Sequence, residues 1–326
     1  MRGLLAALAG LVAVLFVASL LIGPAPAGPG ESLRALATGE GAMGIVMREI
    51  RLPRALLAVL VGAALGLGGA AFQGWLRNPL AEPGLIGISP AAALGAVVAL
   101  QTGLAALHPL VLPGAALAFA AVAGALILAL AGRGGATLAL ILAGIAVSAL
   151  AGALTSLALS LSPNPFAAAE AVFWMLGSLA DRSMLHVWIA APFVLAGAAL
   201  VLRLGPALDA LSLGEAAAAA LGVRLGAVRL RLVVGTAAMV GAAVAVAGAV
   251  GFVGLVVPHL LRGAVGARPG RLLPASALGG AAMVLAADIA VRVIAPERDL
   301  KLGVLTALVG APFFLDLIRR NRGAAG

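Results

Sequence analysis

Residues that could do chemistry are few in this chain, and most of them lie at the edges of long apolar runs. The 326 residues include no Cys and only 3 His, at His108, His186 and His259. Without cysteine there is neither a disulfide nor a thiolate metal site, and the histidines are too far apart in sequence for metal-ligand spacing. No Gly-x-x-x-x-Gly-Lys-Ser/Thr loop is present, so the chain does not itself bind ATP in the usual way.

Two pairs of charged residues stand beside apolar runs. Arg51 and Arg54 come immediately before one run, and they either anchor the helix end by snorkelling or bind carboxylates of an acidic partner. Asp288 and Arg292 are four residues apart near the end of another run. At that spacing on a helix, they can pair with each other.

A further group of polar and small residues follows residue 55. Glycine or alanine recurs every fourth residue, which predicts a face where a second helix packs closely; these residues are Gly62, Gly66, Ala70 and Gly74. Gln73 is a polar side chain on this apolar run, which suggests contact with a polar pathway. The next stretch, 77–89, contains two prolines and two glycines and predicts a stiff, non-helical connection.

The apolar runs that position these residues are long enough to cross a membrane. Hydrophobic residues make up 63% of the chain and charged residues 10%, and so few charges cannot cover the surface of a water-soluble globule. At about 20 apolar residues per span, the chain has room for about ten. We predict an all-α, polytopic membrane protein of one domain, 1–326, with apolar runs at 4–22, 55–76, 88–102, 109–131, 137–161, 185–204, 230–257, 272–295 and 302–318. The first run is interpreted as a retained helix, because it is longer than the apolar part of a signal peptide.

The charge pattern gives a topology. Arginines cluster at 224–231, 262–271 and 319–322, and cytoplasmic loops carry such an excess. If all three clusters face the cytoplasm, the run 230–257 forms a broken hairpin that turns near Gly251 to Gly254. The net charge of +9 therefore reflects topology, and no nucleic acid is expected as a partner. Leu208 to Gly222 is predicted to be a surface helix that docks to a soluble partner or lies on the membrane.

In this order along the chain, these segments resemble the FecCD-type permeases, the membrane subunits of ABC importers for ferric siderophores, haem and cobalamin. The resemblance covers most of the chain; its motifs are Arg51-Leu-Pro-Arg54, Gln73, Arg77 to Gly87, Leu142-Ala-Gly144, Phe173 to Leu179, Leu213 to Gly222, Gly251 to His259, Leu273-Pro274, Ala287 to Arg292 and Gly303 to Phe314. Pro90 and Lys301 depart from the family pattern. Lys301 adds a charge near the expected outer surface.

The resemblance implies a type II ABC importer permease fold with about ten spans, in the bacterial inner membrane. It implies a second copy of the chain, with the translocation pathway between the two protomers. The expected partners are two cytoplasmic ABC ATPase subunits, which carry the ATP and Mg, and a periplasmic substrate-binding protein. Membrane lipid surrounds the chain, which itself is expected to bind no cofactor.

The resemblance also implies roles for particular residues. Docking of the binding protein falls to Arg51, Arg54 and Arg292. The translocation pathway and its cytoplasmic gate are assigned to Gln73, Asn78, Pro79, Leu80, Ala136 and Thr137. Coupling to the ATPase, within the segment 205–226, is assigned to Leu213, Gly214, Glu215, Ala216, Leu221 and Gly222.

Two other classes of protein compete with this interpretation. A proton- or sodium-coupled secondary transporter normally needs buried carboxylates in its spans, and here only Asp288 is a fair candidate. A membrane enzyme requires a polar cluster, and the three histidines lie near the predicted span ends. Within the importer class, no residue selects among siderophore, haem and cobalamin.

Overall fold

Every regular element in the described part of the chain is a helix. The computed structural model describes residues 1–25, 27–132, 137–295 and 300–323, and no strand occurs in these ranges, which confirms the all-α fold. A π-helical turn, Val46–Arg51, joins the third helix to the fourth. The α-helices are α1 (Arg2–Leu21), α2 (Pro29–Thr38), α3 (Gly41–Ile45), α4 (Leu52–Leu76), α5 (Ile88–Gln101), α6 (Val111–Ala131), α7 (Thr137–Ser160), α8 (Pro165–Met175), α9 (Met184–Leu202), α10 (Gly205–Leu211), α11 (Glu215–Ala220), α12 (Leu225–Ala247), α13 (Val253–Arg262), α14 (Pro269–Ile294) and α15 (Leu302–Gly323).

The apolar helices of the structure include both full-length and shorter segments. Within the described ranges, 7 helical segments are long and apolar enough to span a membrane; they are α1, the continuous segment Gly41–Leu76, α6, α7, α9, α12 and α14. Three shorter apolar helices, α5, α13 and α15, complete the bundle. Together these are ten apolar helical segments in the described part of the chain, of which seven have the length of a span.

The centre of the bundle is the contact between α4 and α14. A methyl group added at Gly62 would overlap the carbonyl oxygen of Gly280, and one added at Gly66 would overlap that of Ser276. Helix backbones approach this closely only where the residues in contact are small. The structure therefore confirms the predicted close-packing face of α4 at these two glycines.

The long run 230–257 consists of two helices. α12 ends at Ala247, and α13 begins at Val253 after Phe252, which adopts a left-handed conformation with φ of 67°. Both outer ends of this hairpin reach α10, since Arg224 lines a cavity with α10 residues and Arg268 donates a hydrogen bond to Asp209 of α10. The predicted break is thus present, at 248–252 and not at 251–254, and the placement of both ends on one side of the membrane stays a prediction.

The two ends of the bundle differ in their charges. One end, which we call the arginine-rich end, collects the last residue of α4, the short helices α10 and α11 and the start of α14. Its cations are Arg77, Arg203, Arg224, Arg231, Arg268 and Arg271. At the opposite end, the end of α1, the start of α4 and the end of α14 meet around Arg51, Arg54 and Arg292.

The glycine contact of α4 predicts a stability difference between two alanine substitutions. Gly66→Ala should lower the free energy of unfolding by about 1–3 kcal/mol, because an added methyl group forces two packed backbones apart. Gly10→Ala on α1 is the matched control, since nothing lies within 4 Å of the added methyl position. Thermal unfolding in detergent measures both, and equal stability of the two variants would contradict the close contact.

Candidate functional site

Gln73 joins α4 to the half-length helix α13. Its side chain is buried, and its Nε2 donates to the carbonyl oxygens of Gly254 at 3.3 Å and Leu255 at 3.4 Å. Pro258 has no N–H, so the carbonyl of Gly254, four residues before it, has no partner within the helix. The amide of Gln73 replaces that missing donor.

The other half of the Gln73 amide binds a cation. Its Oε1 accepts a hydrogen bond of 2.9 Å from Nη2 of Arg262, the last residue of α13. Gln73 therefore holds both the start and the end of this helix against α4. Within the protomer its side chain lies in this contact, and its role in a pathway stays a prediction.

The connection after α4 folds back into the bundle. Asn78 closes a tight turn at the arginine-rich end by accepting a hydrogen bond of 2.9 Å from the N–H of Leu80, with Pro79 between them. A 3-10 turn, Pro83–Ile86, follows, and the ring of Pro83 packs against Gly68 of α4. The connection was predicted to be non-helical, but it contains this 3-10 turn, and its stiffness stays a prediction.

Glu82 links this connection to the turn of the hairpin. Its Oε1 accepts a hydrogen bond of 3.0 Å from the backbone N–H of Phe252, at the start of α13. The N–H groups of the first helical turn have no partner in the helix itself, and a carboxylate is a favourable acceptor there. Sequence reasoning did not single out this residue, although its charge between Pro79 and Pro83 was a signal.

The segment predicted to couple to an ATPase is two short helices and not one. The predicted surface helix from Leu208 to Gly222 breaks at Gly214, whose φ of 106° is left-handed and ends the helical path between α10 and α11. Leu213 and Leu221 flank α11 and are 69% and 66% exposed. Two large apolar side chains thus project from the arginine-rich end.

A polar contact connects α11 to α7. The hydroxyl of Thr137, at the start of α7, donates to the carboxylate of Glu215, at the start of α11. The structure thus brings Thr137, predicted at the gate, into contact with Glu215, predicted for coupling. Ala216, also predicted for coupling, follows Glu215 and is exposed. Ala136, also predicted at the gate, lies outside the described residues.

At the opposite end, two arginines hold the end of α1. Nη1 of Arg51 donates to the carbonyls of Leu20 and Leu21 at 2.9 and 3.1 Å, and Nη2 donates to Ala25 at 2.7 Å. Nη1 of Arg292 donates to the carbonyls of Ser19 and Ile22 at 2.8 and 2.7 Å. The last carbonyls of a helix have no partner in the helix, and here two guanidinium groups supply the donors.

Asp288 completes this cluster between two cations. Its carboxylate lies 2.8 Å from Nε of Arg54 and 2.9 Å from Nη2 of Arg292, and its side chain is 1% exposed. The predicted pair of Asp288 and Arg292 is confirmed, and Arg54 is a second partner that the sequence did not indicate. The guanidinium of Arg51 points into the protomer, and docking of a binding protein by these arginines stays a prediction.

Two of the three histidines have defined contacts within the protomer. His186 closes the start of α9 with Ser183, and the ring of His259 packs edge-to-face on Phe313 with centroids 5.6 Å apart. Within the described ranges, no group of three or more His, Asp or Glu residues has the arrangement of a metal site. The contacts of these histidines are structural ones.

Comparison with known proteins gives this arrangement a family. A model of the FecCD transport family matches residues 11–320, and the chain belongs to that family. It is 40% identical over 291 residues to the hemin transport system permease protein HmuU of Yersinia pestis, covering 86% of this chain and 85% of that protein. It is also 40% identical over 319 residues to the vitamin B12 import system permease protein BtuC of Klebsiella pneumoniae, covering 96% and 92%.

A solved structure confirms the fold. The chain is 32% identical to a metal-chelate type ABC transporter in an inward-facing conformation, with a TM-score of 0.87, covering 98% of this chain and 100% of that one. The predicted resemblance and the predicted permease fold are both confirmed by these findings.

The bond between Gln73 and Gly254 predicts a non-additive pair of substitutions. Gln73→Leu should cost about 1–3 kcal/mol of unfolding free energy, because it leaves a buried carbonyl without a donor. Pro258→Ala restores an N–H to that carbonyl, so Gln73→Leu should cost less in the Pro258→Ala background. Thermal unfolding of the four proteins of this cycle measures the coupling, and strictly additive losses would show that the amide does not replace the missing donor.

The two ion-pair sites predict unequal losses when their carboxylates are removed. Asp288→Ala should cost about 3–5 kcal/mol, because it leaves two largely buried guanidinium groups facing each other. Asp209→Ala is the control at the arginine-rich end, where Arg268 and Asp209 are 57% and 26% exposed, and its cost should be about 1 kcal/mol. Unfolding in a denaturing detergent compares them; a smaller loss for Asp288→Ala would contradict the central place of this cluster.

Proposed function

We propose that this chain is the membrane-spanning subunit of an ATP-binding cassette importer in the bacterial inner membrane. Its substrate class would be an iron chelate, such as a ferric siderophore or haem, or cobalamin. The observation that carries the proposal is the match of the FecCD transport family to residues 11–320. Relatives at about equal identity are a hemin permease and a vitamin B12 permease, so we assign the choice of ligand to the substrate-binding protein.

The charge distribution supports an orientation for this subunit. The positive-inside rule places short, arginine-rich connections on the cytoplasmic side of the membrane. The arginine-rich end, with α10 and α11, would then face two cytoplasmic ATPase subunits, which hold the ATP and Mg. The opposite end, with the cluster around Asp288, would face a periplasmic binding protein.

The shape of the coupling segment supports its docking to an ATPase. An apolar helix face that fits a groove is a common way for a short helix to bind a partner, and Leu213 and Leu221 give α11 exposed apolar side chains. The contact between Glu215 and Thr137 leads from this segment to α7. Nucleotide binding to the ATPase can shift the bundle between two conformations only if α11 contacts the ATPase differently in each conformation.

The exposed surface of α7 supports assembly with a second copy of the chain. Large apolar side chains of α7 are 54–63% exposed along one helix; they are Leu138, Leu142, Ile145 and Leu150. A surface of this kind, beside the contact with Glu215, suits the wall of a pathway between protomers. We propose that the gate there includes Asn78, Pro79 and Leu80, which lie at the arginine-rich end.

The arginines at the opposite end would contribute unequally to docking. The side chain of Arg54 is 16% exposed beside Asp288, whereas Arg51 and Arg292 donate hydrogen bonds to carbonyl groups at the end of α1. We therefore propose that Arg54 meets the acidic partner and that the other two hold the docking surface in shape.

The importer assignment is tested by what accompanies the protein. We expect the chain, purified gently from its native membrane, to carry an ATPase subunit in equal numbers, identified by mass. In vesicles, this complex should take up hemin, a ferric siderophore or cyanocobalamin only when ATP and a binding protein are present. A chain that purifies alone and moves solute down an ion gradient would instead be a secondary transporter.

The turn after α11 predicts an uncoupled variant. Gly222 has φ of 85°, and the proline ring fixes φ near −65°, so Gly222→Pro must displace α11 from its place between α10 and α12. We expect ATP hydrolysis to continue while ATP-driven uptake falls about tenfold or more. A tenfold fall corresponds to a loss of about 1.4 kcal/mol in the coupling free energy. Gly226→Ala, where nothing lies within 4 Å of the added methyl group, should transport normally, and full transport by Gly222→Pro would refute the coupling role.

A further inference from the structure

A cavity of about 400 Å³ opens at the arginine-rich end between α9, α10 and α12. Three arginines line it: Arg203 follows the last residue of α9, Arg224 precedes the first residue of α12, and Arg231 lies two turns further along α12. The remaining lining is apolar, and no carboxylate belongs to it. In the described part of the chain, none of these three guanidinium groups forms an ion pair or a side-chain hydrogen bond.

The position of the cavity is at the membrane surface. Arg203 and Arg224 stand at the ends of two apolar spans, so the cavity begins where these helices leave the hydrocarbon. Arg231 lies about 10 Å deeper, since an α-helix rises about 1.5 Å per residue. Cations at two depths therefore line one cavity whose remaining lining is apolar.

An exposed apolar surface continues from the cavity toward the membrane interior. Leu202 is 42% exposed, Leu230 is 52% exposed and Val234 is 44% exposed. Val234 follows Arg231 by three residues and so lies on the same face of α12. A ligand that matches this surface has an anionic head and apolar chains.

We propose that this cavity binds the phosphate headgroup of an anionic phospholipid from the adjoining leaflet. The planar guanidinium group presents paired donors that match phosphate oxygens, and basic pockets between helices on the cytoplasmic side are suited to anionic headgroups. The acyl chains would lie along Leu202, Leu230 and Val234. The assignment of this leaflet to the cytoplasmic side rests on the proposed function, whereas the lipid site itself does not.

The depth of Arg231 favours a lipid over the acidic surface of a soluble partner. A carboxylate of an ATPase would reach Arg203 and Arg224 at the rim, but Arg231 lies beside the exposed Leu230 in the span. A free phosphate would satisfy the arginines and leave the apolar surface without a partner. Only a lipid uses both parts of the site.

The bound lipid would brace the coupling segment. Pro206, Ala207 and Ala210 of α10 form one wall of the cavity, and Leu221 and Val223 after α11 form another. On its other side, α10 is fixed by Asp209, which accepts a hydrogen bond of 2.7 Å from the N–H of Gly270. A headgroup between these walls would hold α10 and α11 against α12.

The test is lipid binding to the purified, delipidated full-length chain, without ATP and without transport. Dioleoylphosphatidylglycerol, dioleoylphosphatidylcholine and inorganic phosphate are titrated separately in neutral detergent, and bound lipid is counted by native mass spectrometry. We expect saturable binding of phosphatidylglycerol alone among the three. R203Q/R224Q/R231Q should bind it roughly a hundredfold more weakly, given three cations near the headgroup.

The control variant removes the same number of charges outside the cavity. R2Q/R271Q/R319Q leaves the cavity lining unchanged and should bind phosphatidylglycerol like the unmodified chain. If the triple cavity variant does not fold, R231Q alone should weaken binding severalfold, whereas R271Q should not. Both variants are compared by thermal unfolding before titration.

Three results would overturn the lipid site. The first is equal binding of phosphatidylglycerol by the cavity variant and the control variant. The second is binding of inorganic phosphate that is as tight as binding of the lipid. The third is release of the lipid when the copurified ATPase is added, which would make the cavity part of a protein interface. The first two results are measured on the permease chain alone, so they can be interpreted even if the importer proposal fails.

Discussion

The structure depends on the rule that a backbone N–H or C=O group at membrane depth must find a partner within the protein. In the described part of the chain, polar side chains supply such a partner where α13 contains a proline, where α13 begins and where α1 ends. Gln73 serves the carbonyl that Pro258 leaves free, Glu82 serves the N–H of Phe252, and Arg51 serves the end of α1. Polar residues are scarce in this chain because few such places exist.

This rule changes how the scarce polar residues are interpreted. In the sequence, an intramembrane amide or a pair of arginines is a functional hypothesis by default. In the structure, Gln73 and Arg51 each donate hydrogen bonds to backbone carbonyls that have no partner within their helix, and Asp288 forms ion pairs with two guanidinium groups. A carboxylate that two guanidinium groups of the same protomer contact at 2.8 and 2.9 Å has a structural partner on each side, and this structural role weakens the secondary-transporter interpretation.

Local features of the fold were predictable because their causes are local. Apolar length fixes the spans, and the spacing of Gly62 and Gly66 fixes the face that packs on α14. The ionic cluster was not predictable, because Arg54 and Asp288 are 234 residues apart and only the packing of α4 on α14 brings them together. The break at Gly214 was also missed, since a run of alanines after it looks helical throughout.

The same contacts divide the molecule into parts that resist movement and parts that can exchange partners. The contact between α4 and α14 joins backbone to backbone, and any sliding there meets steric overlap at Gly62 and Gly280. By contrast, α11 is tied to α7 through the hydroxyl of Thr137, and the hairpin turn is tied to Glu82 through one N–H. A hydrogen bond that can be exchanged for another costs about 1 kcal/mol net, within the range that a partner's differential binding supplies. An importer that alternates between two states needs this combination of a fixed core and weakly held elements at its ends.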